Sequence, residues 1–380
     1  MNIEKLKNIR KHLHRNPELS GDEKDTSKYI AEILSKTKPD SFITNLGGYG
    51  VAAVYDTGKA GKTIMFRADM DALPIEEVNN FEHKSKKQGV AHKCGHDGHS
   101  TIMLGVAEEI ATNLISLNGK IILLFQPAEE TAEGAHLVVN DKKFKDIQPD
   151  YIFGLHNLPG YATNSIIIKN DVFASASRGI IISLNGNTSH AAHPENAISP
   201  LNAFTSIINM LTGLPQTAIP FNNAAKVTVI NAVLGERAFG TTPGNAVIMA
   251  TLRSHQDSDM KIMTEKVEKY VEYISKADNL QHTIEYVEDF PALKNNELCV
   301  DIIRDAAKKS KAEIIEKEKP FPWSEDFSYF SDKYPAGFFG IGSGTEHPQL
   351  HNNNYDFPDE IIDTGIKMFV NIANNLNGAK

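Results

Sequence analysis

The run Ile121-Ile122-Leu123-Leu124-Phe125 constrains this chain more than any other stretch. It is too short to span a bilayer and has no polar alternation, so it reads as a strand buried on both faces, as in a parallel sheet covered by helices. It leads into Gln126-Pro127-Ala128-Glu129-Glu130, so a core strand delivers carboxylates at its C-terminal end. Two other apolar segments end the same way: 63–66 runs into Arg67-Ala68-Asp69-Met70-Asp71, and 151–155 runs into His156. Open α/β sheets bind ligands in the crevice at the carboxyl ends of their strands. Three strand ends would therefore bring Asp69/Asp71, Glu129/Glu130 and His156 to one place.

Helical spacing surrounds these strands. Residues 3–14 carry Ile3, Leu6, Ile9 and Leu13 and stop before Pro17; further helices are expected over about 22–36 and 100–112. From about Arg178 the pattern changes to strands at 180–184, 226–233 and 246–252, with helices near 200–212 and 257–276, an α+β layer. At 380 residues the chain exceeds what one core usually takes. The expected fold is α/β: a mostly parallel-sheet main domain in two parts, 1–177 and 289–380, with a smaller α+β satellite domain inserted at 178–288.

A net charge of −9 argues against nucleic acid and anionic membranes as partners. The first twenty residues have no apolar core of the kind a secretory signal carries, and Cys94 and Cys299 make no disulfide framework, so a cytoplasmic location is expected.

Between the strands at 63–66 and 121–125 lies His92-Lys93-Cys94-Gly95-His96-Asp97-Gly98-His99. A thiolate, imidazoles and carboxylates together suit zinc or a neighbouring transition metal better than calcium or magnesium. The expected ligand set is Cys94, His96, Glu130, His156 and His351. Five protein ligands exceed one tetrahedral zinc, whereas two ions sharing a bridging group and a water use them naturally. Glu129, beside such a water, could take its proton and pass it to a leaving amine. Blander readings stand beside each assignment: the Glu-Glu pair as a solvated helix start, His156 as a satisfied strand-end histidine, His351 as a loop residue. His12 and His14 are read as surface residues of the first helix, and Trp323 as a wall or core aromatic.

Arg67-Ala68-Asp69-Met70-Asp71-Ala72-Leu73-Pro74-Ile75, Cys94-Gly95-His96-Asp97-Gly98-His99, Phe125-Gln126-Pro127-Ala128-Glu129-Glu130, Gly154-Leu155-His156, Ser189-His190-Ala191-Ala192 and Ser324-Glu325-Asp326-Phe327-Ser328 resemble, in order, the blocks of a metallo-amidohydrolase family. That family includes bacterial N-acyl-L-amino-acid amidohydrolases, hippurate hydrolases, N-acetyldiaminopimelate deacetylases and plant auxin-conjugate hydrolases. The resemblance implies a di-metal catalytic domain, an inserted domain that often mediates dimerisation, and two divalent ions per subunit (zinc, manganese, nickel or cobalt). By position it puts the ligands on Cys94, His96, Glu130, His156 and His351 and the general base on Glu129. It gives His190 the role of stabilising the oxyanion, in dimeric relatives from the partner subunit, and Arg253 that of gripping a substrate carboxylate. The expected reaction is hydrolysis of an N-acyl amino acid, a small-molecule substrate, to a carboxylic acid and an amino acid. Alternatives are an exopeptidase acting on dipeptides and an inactive metal-binding homologue. Gly240-Thr241-Thr242-Pro243 stands where the family often has Asn-Val-Ile-Pro, which bears on carboxylate recognition.

Overall fold

The computed structural model describes residues 2–378. The chain forms two compact units: one of residues up to Phe173, Leu293–Lys319 and from Asp326 onward, the other of Ala174–Ala292 and Pro320–Glu325. The change of sequence pattern places the insert at 178–288; the second unit extends a few residues beyond that on each side and takes in the 320–325 segment.

The first unit is built on β1 (Ser41–Leu46), β2 (Gly50–Asp56), β3 (Thr63–Asp69), β4 (Lys120–Gln126), β5 (Tyr151–Pro159) and β6 (Ile166–Ile168). A short β7 (Asp171–Ala174) follows. The second unit supplies β8 (Ala176–Asn185), β9 (Ala225–Leu234), β10 (Asn245–Ser254) and β11 (Gln281–Phe290); the chain then returns through β12 (Leu293–Asn295), β13 (Ile314–Glu316) and β14 (Ala336–Gly344). The eight-stranded sheet of the first unit has the order β1-β2-β4-β3-β5-β14-β6-β13. Its centre, β4-β3-β5-β14, is parallel throughout, while β1 and β2 add antiparallel pairs at one side. The fold is mixed α/β with a mostly parallel main sheet. Residues 121–125 are buried to the last side chain, as their composition demands: no face of that strand meets water.

Helices α1 (Ile3–Arg15), α2 (Lys24–Ser35) and α3 (His96–Asn113) pack in this unit, with the short α4 (Gly134–Asn140) after the β4 turn. Two boundaries differ from the sequence expectation, and both matter. Helix α3 begins at His96, two residues after Cys94, because the intervening Gly95 takes a left-handed conformation (φ 99°) and caps it. Only glycine fits there: a Cβ would lie 2.3 Å from Asn157 Oδ1. Strand β5 does not stop at His156 but runs to Pro159, held by register pairs with β14 that include His156 with Gly340 and Leu158 with Gly342.

In the second unit α5 (Leu201–Ala218) and α6 (Asp257–Ala277) cover one face of an antiparallel sheet of order β11-β8-β10-β9. Alternation sets that face: Ile180, Ile182 and Leu184 from β8 and Ala246, Ile248, Ala250 and Leu252 from β10 are buried. Strand β11 is absent from the sequence expectation, since its burial alternates between exposed and half-buried residues and no apolar run marks it. Helices α7 (Glu297–Lys309), α8 (Ser328–Ser331) and α9 (Ile362–Asn377) complete the first unit. No helix among the described residues is long and apolar enough to cross a membrane.

Candidate metal centre

Four chain segments meet in the first unit. The turn before α3 brings Cys94 and the first helical residue brings His96; the turn after β4 brings Glu129 and Glu130; β5 brings His156; and the loop after β14 brings His351. Donor atoms of Cys94, His96 and His156 lie within 4.8 Å of one another, and so do those of Cys94, Glu130 and His351. Cys94 belongs to both triads. Its Sγ is 3.3 Å from His156 Nε2, and His96 Nε2 is 3.8 Å from Glu130 Oε1 and 3.9 Å from Glu129 Oε2. His351 Nε2 is 3.6 Å from Glu130 Oε2.

Further contacts orient these groups. His96 Nδ1 faces the Asp71 carbonyl at 3.0 Å and its carboxylate at 3.1 Å, which turns Nε2 toward the cluster. His156 Nδ1 faces the Asn157 carbonyl at 2.8 Å, leaving Nε2 beside Cys94. The Asp71 carboxylate also accepts the Glu130 N–H at 3.0 Å, so one side chain tethers two of the expected ligands. His99 could share a triad with Asp69 and His96, but both its ring nitrogens are engaged, by Asp69 at 2.7 Å and Asn157 at 2.6 Å. It supports the site without offering a lone pair.

The donor set fits divalent cations. His96 Nε2 and Glu130 Oε1 are buried and have no hydrogen-bond partner among the described residues, a costly state unless something else satisfies them. Burial pushes Glu130 up to about 7 and drives the Cys94 thiol well up, with Glu130 and Glu129 adding to the second shift. Burial opposes a proton on His96 too, yet Asp69 and Asp71 outweigh it and lift the imidazole to about 10. Carboxylates that recruit an imidazolium recruit a divalent cation on the same grounds.

Beneath the centre sits an ion network that sequence reasoning missed. Arg67, fully buried in β3, donates to Gln126 Oε1 (2.7 Å), Asp69 Oδ2 (2.8 Å) and Asp326 Oδ1 (2.7 Å). Asp326 in turn accepts from Gln126 Nε2 and from the Ala135 N–H, and its own N–H faces Glu129 Oε1 at 3.4 Å. Arg67 and Asp69 are two apart on one strand and so share a face, which is the available signal; Asp326 lies in one of the family-like blocks, but at 200 positions from Gln126 nothing in the sequence pairs the two.

His14 is a correction: it is not on the helix surface but wholly buried, between Asp97 (2.8 Å) and Glu77 (3.0 Å). Leu6, Arg10 and His14 follow one another at four-residue spacing, so the buried stripe of α1 is wider than its apolar residues suggest. His12 is exposed. Lys93 carries the network on: its Nζ donates to Glu77 (2.5 Å) and to the Tyr355 carbonyl (2.7 Å), while its own carbonyl accepts the His351 N–H (2.8 Å). His351 is left-handed (φ 64°), and its side chain is 52% exposed.

Within the second unit, His190 is exposed and forms a bridge with Thr241. The Thr242 hydroxyl faces Ser189 N at 2.8 Å, Oγ at 3.0 Å and O at 3.2 Å, so the 240–243 segment braces the stretch carrying His190. Arg253 donates through Nη1 to two neutral acceptors of the same unit, the Pro322 carbonyl (3.1 Å) and Ser324 Oγ (3.2 Å). Trp323 stacks on Phe321, with centroids 4.8 Å apart.

A two-unit chain with these converging donors belongs to peptidase family M20/M25/M40, whose model matches residues 65–375. It is a hydrolytic enzyme. Among its relatives, a hippurate hydrolase from Campylobacter jejuni is 32% identical, covering 96% of this chain and 94% of its own length. An N-acetyl-L-cysteine deacetylase from Bacillus subtilis is 33% identical, covering 90% of this chain and 81% of the relative. In structure the chain is similar to a dinuclear metal-binding peptidase of the M20 family from Bacillus subtilis, with a TM-score of 0.83 at 26% identity over 98% of this chain and 97% of the other.

Proposed function

We propose that the protein hydrolyses the amide bond of N-acyl amino acids, releasing a carboxylic acid and a free amino acid. The observation that carries this reading is the overlap of two donor triads at Cys94 with a further carboxylate, Glu129, beside them. Cys94, His96, Glu130, His156 and His351 would hold two divalent ions, zinc, manganese, nickel or cobalt. Such ions, when bound, polarise the amide carbonyl and lower the pKa of a shared water.

The remaining work falls to side chains. Glu129 is 5% exposed, and in this reading it takes the proton of the attacking water and returns it to the amide nitrogen as the carbon–nitrogen bond breaks. His190 donates to the oxyanion that forms at the carbonyl, as the family resemblance gives it. Arg253 takes the substrate carboxylate; the acceptors it holds are neutral, which leaves its charge available for a bidentate partner. The relatives named for hippurate and N-acetyl-L-cysteine support an acyl amino acid substrate.

The relative named as a dinuclear peptidase favours dipeptides as a second reading. Assaying N-acetyl and N-benzoyl amino acids against dipeptides, with each metal added in turn, separates the two. Glu129→Gln with unaltered metal content is expected to abolish turnover on every substrate cleaved; near-normal turnover would remove Glu129 as the base.

A homodimer through the second unit fits its edge strand β9, where Ile230 is 62% and Val233 50% exposed. Sedimentation analysis is expected to give twice the chain mass. Two free, buried cysteines suit a cytoplasmic home.

A further inference from the structure

Glu23 lies far from the expected ligands in sequence and is completely buried. Its Oε1 accepts the N–H of Ala128 at 2.7 Å and that of Gly21 at 3.0 Å. Oε2 has no partner among the described residues. A buried carboxylate satisfied on one oxygen is a poor stabilising device compared with an apolar side chain, so its placement calls for another account.

The account lies in the turn it holds. Ala128 is left-handed (φ 51°), a region that non-glycine residues enter only when their surroundings impose it. Its N–H is taken by Glu23, and its carbonyl accepts the Gly134 N–H at 3.0 Å. Two residues on, the Glu130 N–H is taken by Asp71. Glu129 therefore stands between two backbone groups, each pinned by a buried carboxylate, and its own carbonyl is closed by the Ala132 N–H at 2.9 Å.

We infer that Glu23 is a positioning residue of the hydrolytic centre: it fixes Ala128 in its left-handed conformation and so sets where the Glu129 carboxylate points. The inference rests on the reading of Glu129 as the general base. Burial, and then Asp71, push Glu23 up to about 7. A proton carried on Oε2, which has no partner among the described residues, would leave Oε1 an acceptor in either state. An amide oxygen can do the same, whereas a shorter or apolar side chain cannot.

The test compares metal-loaded Glu23→Leu, Glu23→Asp and Glu23→Gln with the parent enzyme for kcat, KM and metal content, beside Glu129→Gln. Glu23→Leu and Glu23→Asp are expected to lose about tenfold or more in kcat with KM within about twofold and metal content unchanged, because a base misplaced by a fraction of an ångström loses its alignment. Glu23→Gln is expected to restore most of that rate. Adding Ala128→Gly to Glu23→Asp should recover part of it as well, since glycine enters the left-handed region without an anchor. Parent-like kcat in Glu23→Asp, equal losses in the Gln and Asp variants, or a loss that tracks falling metal content would each overturn the role of Glu23. Activity in Glu129→Gln would instead overturn the underlying reading of the base. Glu23→Asp keeps the charge and most of the volume, so the comparison survives if Glu23→Leu does not fold.

Discussion

Among single residues, Cys94 and His14 carry the most information. Cys94 is the one donor common to both triads, and a thiolate is the softest ligand present. Cys94→Ser is expected to lower metal content at both positions, measured by elemental analysis after exhaustive dialysis; unchanged stoichiometry would remove Cys94 from the ligand set. His14 acts through charge. Burial opposes its proton, but Asp97 and Glu77 outweigh that and raise it to about 9 from an ordinary 6.5. A group whose folded pKa is raised stabilises fully below its unfolded value and loses that contribution as pH climbs through the folded one. Parent stability should therefore decline between about pH 6.5 and 9, by a few kcal/mol on the order of one pKa unit per ~1.4 kcal/mol. His14→Gln should start lower and show a flatter profile across that window; parallel thermal-denaturation curves would rule out a protonated His14.

Secondary-structure elements are legible in the sequence to different depths. The central strands can be read because burial on both faces leaves a continuous apolar run, and their ends can be read because carboxylates and a histidine there have no place in a core. The start of α3 cannot: the Cys/His-rich run looks like a loop, and it takes the contact of Gly95 with Asn157 to show why the helix begins inside it. His14 and Arg10 look solvated because the partners that neutralise them, Asp97, Asp356 and Asp359, come from remote segments. The turn after β4 depends on another glycine: a Cβ on Gly134 would lie 1.6 Å from the Pro127 carbonyl oxygen. Gly134→Ala is expected to cost about 3 kcal/mol and to impair turnover by displacing the Glu129 turn. A Cβ on Gly213 in α5 would meet nothing within 4 Å, so Gly213→Ala should instead gain about 0.5–1 kcal/mol. Chemical denaturation of the pair checks both signs.

For the molecule as a whole, folding and ion binding are linked. Buried donors without a hydrogen-bond partner in the protein favour a state in which cations satisfy them, and a ligand that binds only the folded chain adds stability by mass action, about 2.7 kcal/mol at a hundredfold excess over Kd. Stripping with a chelator is expected to lower Tm by several degrees, and returning zinc or manganese to restore it; an unchanged Tm would mean that the donors are satisfied without metal. The two-unit organisation is visible as a change of pattern near Arg178. The 320–325 segment joins the second unit from beyond the main insert, and no feature of its sequence announces that.

The two triads also differ in how much of their ordering is complete before an ion arrives. Cys94, His96 and His156 are 7%, 0% and 5% exposed and already locked by folding, whereas His351, whose backbone is held by Lys93, leaves its ring 52% exposed. The freedom of that ring has still to be surrendered when the outer triad closes. If two ions are held as proposed, the outer one would be the more readily exchanged, and graded chelation is expected to remove one equivalent before the other; simultaneous loss of both would overturn that order.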